Sequence, residues 1–314
     1  MKKIFKEVMF FVIPLVIIVV IIDAFSFTNL GNEILGRVTF STGYARSGSA
    51  DVRNYVQRVR KESNATRLIV GDSVARQLFD GLQEDNDTYC IAACNQALTL
   101  AGQYLLINTF LENHDNVTDV YLSIVPMSLS ADLDAELGYN YFVAPFTKES
   151  LINQLDRSTI EYLEKKFGKI FLEEWMVDFI DNSPINSKIY LNYMQDKEQG
   201  EKKDDTDIIV SDVNILYLDR IYNLCKEKGV ELHLFSGPVP DNLEQTQFVN
   251  ELETLIQEKN YVLLEDYVRT IPFYDEKMFP DGTHLGGEYN SSEYYYSIIN
   301  GIQEETGLLE DFAY

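Results

Sequence analysis

A carboxylate that orients an imidazole, and an imidazole that draws the proton from an alcohol, together make a nucleophile strong enough to attack an acyl carbon. Two short segments of this chain supply those groups. Gly71-Asp72-Ser73 offers the alcohol, and Phe279-Pro280-Asp281-Gly282-Thr283-His284-Leu285 places an acid three residues ahead of a base. On one turn of chain, that spacing lets Asp281 accept the imidazole N–H, which fixes the tautomer and leaves the other ring nitrogen to face a nucleophile. Ser73 is thus the expected nucleophile, His284 the general base and Asp281 its orienter. Of the three histidines, His233 falls in an apolar strand pattern and His114 at a polar helix end. Only His284 has an acid three residues ahead of it.

These groups need elements to bring them together. Thr66 to Val70 is a short apolar, β-branched run closed by Gly71, as expected of a buried strand. After Ser73, the spacing of Val74, Leu78, Phe79 and Leu82 predicts a helix. Ser73 is therefore expected at the C-terminal edge of a parallel sheet, where open α/β folds bind ligands, beside a helix N-terminus whose N–H groups suit a developing oxyanion. Further strands are predicted at Tyr89 to Ala93, Val120 to Val125, Val230 to Phe235 and Tyr261 to Leu264. Helices are predicted at Thr99 to Asn113, at Ser211 to Lys228 with Gly229 as its stop, and after a capping box formed by Asn290 and Glu293. Strands alternating with helices indicate a parallel sheet covered on both faces.

The interval from Ser128 to Asp207, about eighty residues without a strand pattern, is too long for an ordinary connection. It reads as an inserted helical lid or substrate subdomain over 128–210, ending in the charged stretch Asp196 to Asp207. It carries the one tryptophan, Trp175, and its Tyr139, Tyr141, Phe142 and Phe146 either stack on sugar rings or form the subdomain core. Arg76, three residues after Ser73, either meets an anionic substrate or is a solvated helix residue. Asp72 is expected to hydrogen-bond the turn. The acidic clusters Glu84 to Asp87 and Asp204 to Asp207 lack the ligand spacing of a calcium loop. No metal and no cofactor is expected.

A GDS block after the first strand and a DxxH block before the last helix resemble those of the SGNH/GDSL hydrolase superfamily, over residues 66 to about 307. The resemblance implies a flavodoxin-like three-layer α/β/α fold and the roles of Ser73, His284 and Asp281 given above. It also implies an oxyanion hole from the Ser73 N–H and two further blocks. The first of these reads Cys94-Asn95-Gln96-Ala97 here, which carries the oxyanion role to Asn95 and Gln96. The second, usually GxND, reads Ser123-Ile124-Val125-Pro126-Met127-Ser128, without the asparagine donor. Asp281-Gly282-Thr283-His284-Leu285-Gly286-Gly287 is similar to the terminal block of DltD-type D-alanine transfer proteins and, more loosely, of alginate O-acetylation proteins. That branch is exported, anchored at the N-terminus, and acts with a membrane acyltransferase on envelope polymers.

The resemblance implies that this chain is an esterase or acyltransferase acting on acyl esters, O-acetyl foremost, of a cell-envelope or exported polysaccharide. The acylated glycan or envelope polymer, and a membrane-bound O-acyltransferase, are the expected partners. The alternative is a non-catalytic SGNH-like module that binds polymer or scaffolds that acyltransferase.

Lys2, Lys3 and Lys6 precede an uncharged run from Val8 to Ile22, and no further basic residue occurs before Arg37. The positive-inside rule keeps the terminus in the cytoplasm and exports the rest. Residues 1–27 are read as a retained membrane anchor, with a cleaved signal peptide as the rival because Ala24-Phe25-Ser26 offers small residues at a processing spacing. Residues 28–65 then form a juxtamembrane stalk with a charged helical stretch from Arg53 to Lys61, and residues 66–314 the catalytic domain. The net charge of -24 repels phosphate backbones and excludes nucleic acid as a partner. Cys90, Cys94 and Cys225 fit no disulfide framework and no tetrahedral zinc set. They are expected as buried thiols, with a Cys90–Cys94 bridge as the alternative in an oxidising compartment.

Overall fold

A computed structural model describes residues 2–39, 44–79, 81–82, 88–133, 137–200, 210–259 and 261–307. Helices α1 (Lys2–Ser26), α2 (Asn29–Thr39) and α3 (Tyr44–Arg60) come first. Strands and helices then alternate: β1 (Arg67–Gly71), α4 (Ser73–Phe79), β2 (Tyr89–Ala93), α5 (Thr99–Asn113) and β3 (Asp119–Ser123). A long helical interval follows, with α6 (Ala144–Lys148), α7 (Arg157–Leu163), α8 (Glu174–Asp181), α9 (Pro184–Gly200) and α10 (Asp212–Lys228). The C-terminal part contains β4 (Glu231–Phe235), β5 (Val239–Asp241), α11 (Leu243–Lys259), α12 (Glu265–Arg269), β6 (Phe273–Asp275) and α13 (Ser292–Thr306).

The main sheet has four parallel strands in the order β2-β1-β3-β4, flanked by helices. Helical crossovers cover its faces and bury β1 and β2 almost end to end, which is why both read as unbroken apolar runs. The chain leaves β1 for β2 on one side and then returns across β1 to β3 on the other. The strand order therefore reverses at β1, the position where open α/β sheets bind ligands beyond the C-terminal ends of their strands. Gly71 closes that strand because β3 passes too close for a side chain: a Cβ there would stand 1.9 Å from the Ser123 carbonyl oxygen.

Three of the predicted strands fall within a residue or two of β2, β3 and β4, and the first coincides with β1 apart from its ends. The run Tyr261 to Leu264 does not form a strand. It makes a 3-10 turn (Val262–Leu264) that leads into α12, because Glu265 and Asp266 favour a helix start and the Tyr261 hydroxyl donates to Asp219 of α10 at 2.6 Å. A short apolar run fits either outcome, and here the tertiary contact decided. The last helix starts one residue later than the capping box implied, with Ser291 at the cap and no side-chain cap hydrogen bond. Gly229 does close α10, in the left-handed region.

Among the described residues of 128–210 there is no strand. Tyr139, Tyr141, Phe142 and Phe146 are buried in the same hydrophobic core as the sheet, and their segment packs on α3, so they do not form a separate subdomain interior; the Phe142 and Phe146 rings stand 5.5 Å apart. The segment read as a stalk does more than connect: Val52, Tyr55, Val56 and Val59 of α3 are buried in the main core, and α3 packs on α5. All three cysteines are buried free thiols, and burial pushes those of Cys90 and Cys225 up to about 12. The acidic clusters at 84–87 and 204–207 lie outside the described residues. So does the part of the charged stretch Asp196 to Asp207 beyond Gly200, while its first residues continue α9 to Gly200.

Candidate active site

Two elements meet at the C-terminal edge of β1. Ser73 opens α4 directly beyond the strand, and the loop between β6 and α13 carries Asp281 and His284 over it. That loop is pinned at both ends by the buried side chains of Phe279 and Leu285, and it closes on itself where Gly286 N–H donates to the Met278 carbonyl at 2.8 Å. Gly282 supplies the positive φ of +77° that the turn between the acid and the base requires.

The His284 Nε2 atom lies 2.8 Å from Ser73 Oγ, across 211 residues of sequence, and its Nδ1 lies 2.9 Å from Asp281 Oδ2. The other carboxylate oxygen accepts from the backbone N–H of Thr283 at 2.9 Å and of His284 at 2.7 Å. Burial alone would raise the Asp281 pKa, but those two N–H donors and the ring N–H outweigh it and hold the group down at about 2. Asp281 is therefore ionised wherever the protein is folded near neutrality, and its charge favours an imidazole protonated on Nδ1. His284 is two-thirds buried, whereas Asp281 stands more than half exposed.

Asp72 is wholly buried and organises the turn beneath Ser73. Its Oδ1 accepts from the N–H groups of Val74 and Ala75, and its carbonyl accepts from Arg76 N–H. Three amide donors of the first turn of α4 are thus occupied, while Ser73, as the first helical residue, has no intrahelical acceptor for its N–H. The Asp72 Oδ2 atom reaches across to the segment following β3, accepting from Val125 N–H at 2.7 Å and Ser128 Oγ–H at 2.6 Å. Burial raises the Asp72 pKa and these hydrogen bonds pull it back only in part. The carboxylate thereby fixes the segment Val125 to Ser128 that follows β3.

Asn95 and Gln96 lie on the same edge. Gly71 pairs with Ala93 across β1 and β2, so Asn95 stands two residues beyond the sheet on its strand as Ser73 does on the neighbouring one. Asn95 Oδ1 accepts from Ala97 N–H at 2.9 Å and caps the following turn, and Gln96 is exposed. Arg76 reaches α3, its guanidinium 3.4 Å from Asp51, so its charge is already partnered.

Two glutamines escaped the sequence reading. Gln77 of α4 donates from Nε2 to the Leu285 carbonyl at 3.0 Å, which ties the serine helix to the histidine loop. Gln103, buried in α5, donates to the Gly71 carbonyl at 2.7 Å and supports the turn from below. Neither has a motif, because their value depends on a partner distant in sequence. The other two histidines do structural work. His114 stacks on Phe110, and His233 stacks on Tyr121 while hydrogen-bonding Asp119 at 3.0 Å, at the opposite end of the sheet. Asp119, Glu231 and His233 bring candidate ligand atoms within 4.8 Å of one another, but Arg67 stands 3.4 Å from Asp119 and already supplies the positive charge there.

No family model, curated protein or solved structure matches the chain.

Proposed function

We propose that the chain is an SGNH-type serine esterase or acyltransferase that acts outside the cytoplasm on acyl esters, O-acetyl foremost, of a cell-envelope or exported polysaccharide. One observation carries this reading: Asp281, His284 and Ser73 form an unbroken hydrogen-bonded relay at the end of a central parallel strand. Ser73 Oγ attacks the acyl carbon as His284 Nε2 takes its proton. The ring then returns that proton to the departing sugar oxygen, leaving an acyl-serine for a hydroxyl or water to resolve. The Ser73 N–H meets the developing oxyanion, with Asn95 and Gln96 as further donors on that edge. The strand order β2-β1-β3-β4 agrees with the first four strands of a flavodoxin-like sheet, which supports the superfamily assignment. The test is mass spectrometry of the full chain after incubation with an activated acetyl ester. An adduct on Ser73, absent in Ser73→Ala, is expected, and unchanged ester cleavage by Ser73→Ala would overturn the assignment.

One feature favours a second reading, a scaffold for a membrane O-acyltransferase. Residues 125–128 present no side-chain amide to an oxyanion, and their hydrogen bonds go to Asp72 instead. Fluorophosphonate labelling separates the two, since only an activated Ser73 reacts.

A further inference from the structure

The last turn of the apolar helix α1 is built into the folded domain. Ser26 is fully buried, its hydroxyl donating to the Asp23 carbonyl at 2.6 Å and lying 2.7 Å from the Ser183 hydroxyl at the start of α9. Phe27 sits against Phe179 of α8 with ring centroids 5.6 Å apart, and Asn32 Nδ2 donates to the Asn182 carbonyl at 2.8 Å. Helix α2 folds back closely enough that a Cβ on Gly31 would stand 1.9 Å from the Phe25 carbonyl oxygen. The end of α1, α2, α8 and α9 therefore form one packed group.

Around this junction the apolar side chains point outward. On α2, Leu30, Ile34 and Val38 recur every fourth residue and are 60%, 47% and 78% exposed. On α8, Trp175 and Phe179 lie one turn apart on one face and are 59% and 44% exposed. Exposed apolar residues scattered singly are ordinary, but two helical rows that both start beside the end of α1 are not. That helix contains Met9–Ser26, a segment of mean hydropathy 2.7 that is long and apolar enough to cross a bilayer. Continuity with that helix selects the occupant. A surface helix whose apolar row continues from a span, next to an exposed tryptophan, has the character of an element lying in the lipid–water interface.

We propose that α1 is retained as a span and that α2 and α8 lie in the interface, seating the catalytic domain on the bilayer surface. Cleavage near Ala24 to Ser26 would remove the partner of Ser183 and free the packed group, so the contacts argue for an anchor that stays. The inference rests on the exported, membrane-associated reading above, but not on the chemistry at Ser73.

Trp175 is the only tryptophan and reports on this face directly. The full chain is reconstituted into zwitterionic phosphatidylcholine vesicles, chosen because its net charge of -24 disfavours anionic lipid. The vesicles contain phospholipid brominated either near the headgroup end or near the tail end of the acyl chains. Interfacial seating predicts roughly twofold quenching of Trp175 by the shallow label and weaker quenching by the deep one. The paired substitutions Ile34→Asp and Val38→Asp should relieve the quenching while leaving fluorophosphonate labelling in detergent unchanged. A chain that floats with the vesicles but keeps Trp175 unquenched overturns the proposal, as does one that does not float. Quenched Trp175 with an unlabelled Ser73 would instead sink the catalytic reading alone.

Discussion

Replacing Asp281 with asparagine should disable the site by misplacing a proton while leaving the loop's hydrogen bonds in place. In the native loop, Asp281 Oδ1 accepts two backbone N–H groups, at 2.9 Å from Thr283 and 2.7 Å from His284, while Oδ2 takes the ring Nδ1–H. The amide introduced by Asp281→Asn must keep its oxygen on the two backbone donors, because turning over would set its NH2 against both of them. At ~1–2 kcal/mol for each backbone donor so opposed, the native orientation is favoured by about 2–4 kcal/mol. The NH2 then faces Nδ1, which must accept, and the ring proton moves to Nε2, where it cannot receive the serine proton. Only the flipped minority stays competent. With each 1.36 kcal/mol worth tenfold, labelling of Ser73 by a fluorophosphonate should slow by roughly 30- to 1000-fold. Asp281→Ala leaves the ring either tautomer and should slow labelling less than Asp281→Asn does. Second-order labelling rates measured in detergent at neutral pH decide the matter. If the asparagine variant labels within about threefold of wild type, or faster than the alanine variant, the relay argument is wrong.

Asp72→Asn should destabilise the fold by about 2–4 kcal/mol in urea unfolding, since an NH2 in place of Oδ2 confronts the buried Val125 N–H; an unchanged midpoint would show that Asp72 does not hold the end of β3 to the serine turn. Gln77→Leu removes the link to the Leu285 carbonyl and should lower the labelling rate by about three- to tenfold, with a stability loss of about 1 kcal/mol, the worth of one hydrogen bond. Asp156 caps α7 through Thr159 N–H and also accepts from the Tyr217 hydroxyl at 2.8 Å, so Asp156→Ala should cost about 2–3 kcal/mol, read as a lower thermal midpoint. Asp281 is held at about 2 against an ordinary 3.8, so its share of stability is complete above 3.8 and disappears as pH falls through about 2. Thermal midpoints followed from neutrality into that window should fall less steeply for Asp281→Asn than for wild type.

The residue types of the relay were legible because its acid and base lie three positions apart in one loop, where local spacing sets geometry. The neighbouring strand and helix were legible because a parallel strand buried on both faces leaves an unbroken apolar run. Local pattern also placed the stop of α10 at Gly229, and residue type alone anticipated the buried thiols. It failed for Tyr261 to Leu264, whose run suits a strand until Asp219 takes the tyrosine hydroxyl. It also understated α3, since a charged helix with one apolar stripe looks like a stalk until a core closes over Val52 and Val56. The meeting of Ser73 with His284, and the service of Asp72, Gln77 and Gln103 beneath them, depend on chain segments from about thirty to two hundred residues apart. Composition sets which groups are present, and spacing sets which neighbours share a turn. Only the crossover order of the sheet, reversing at β1, decides which distant groups stand within a hydrogen bond of one another.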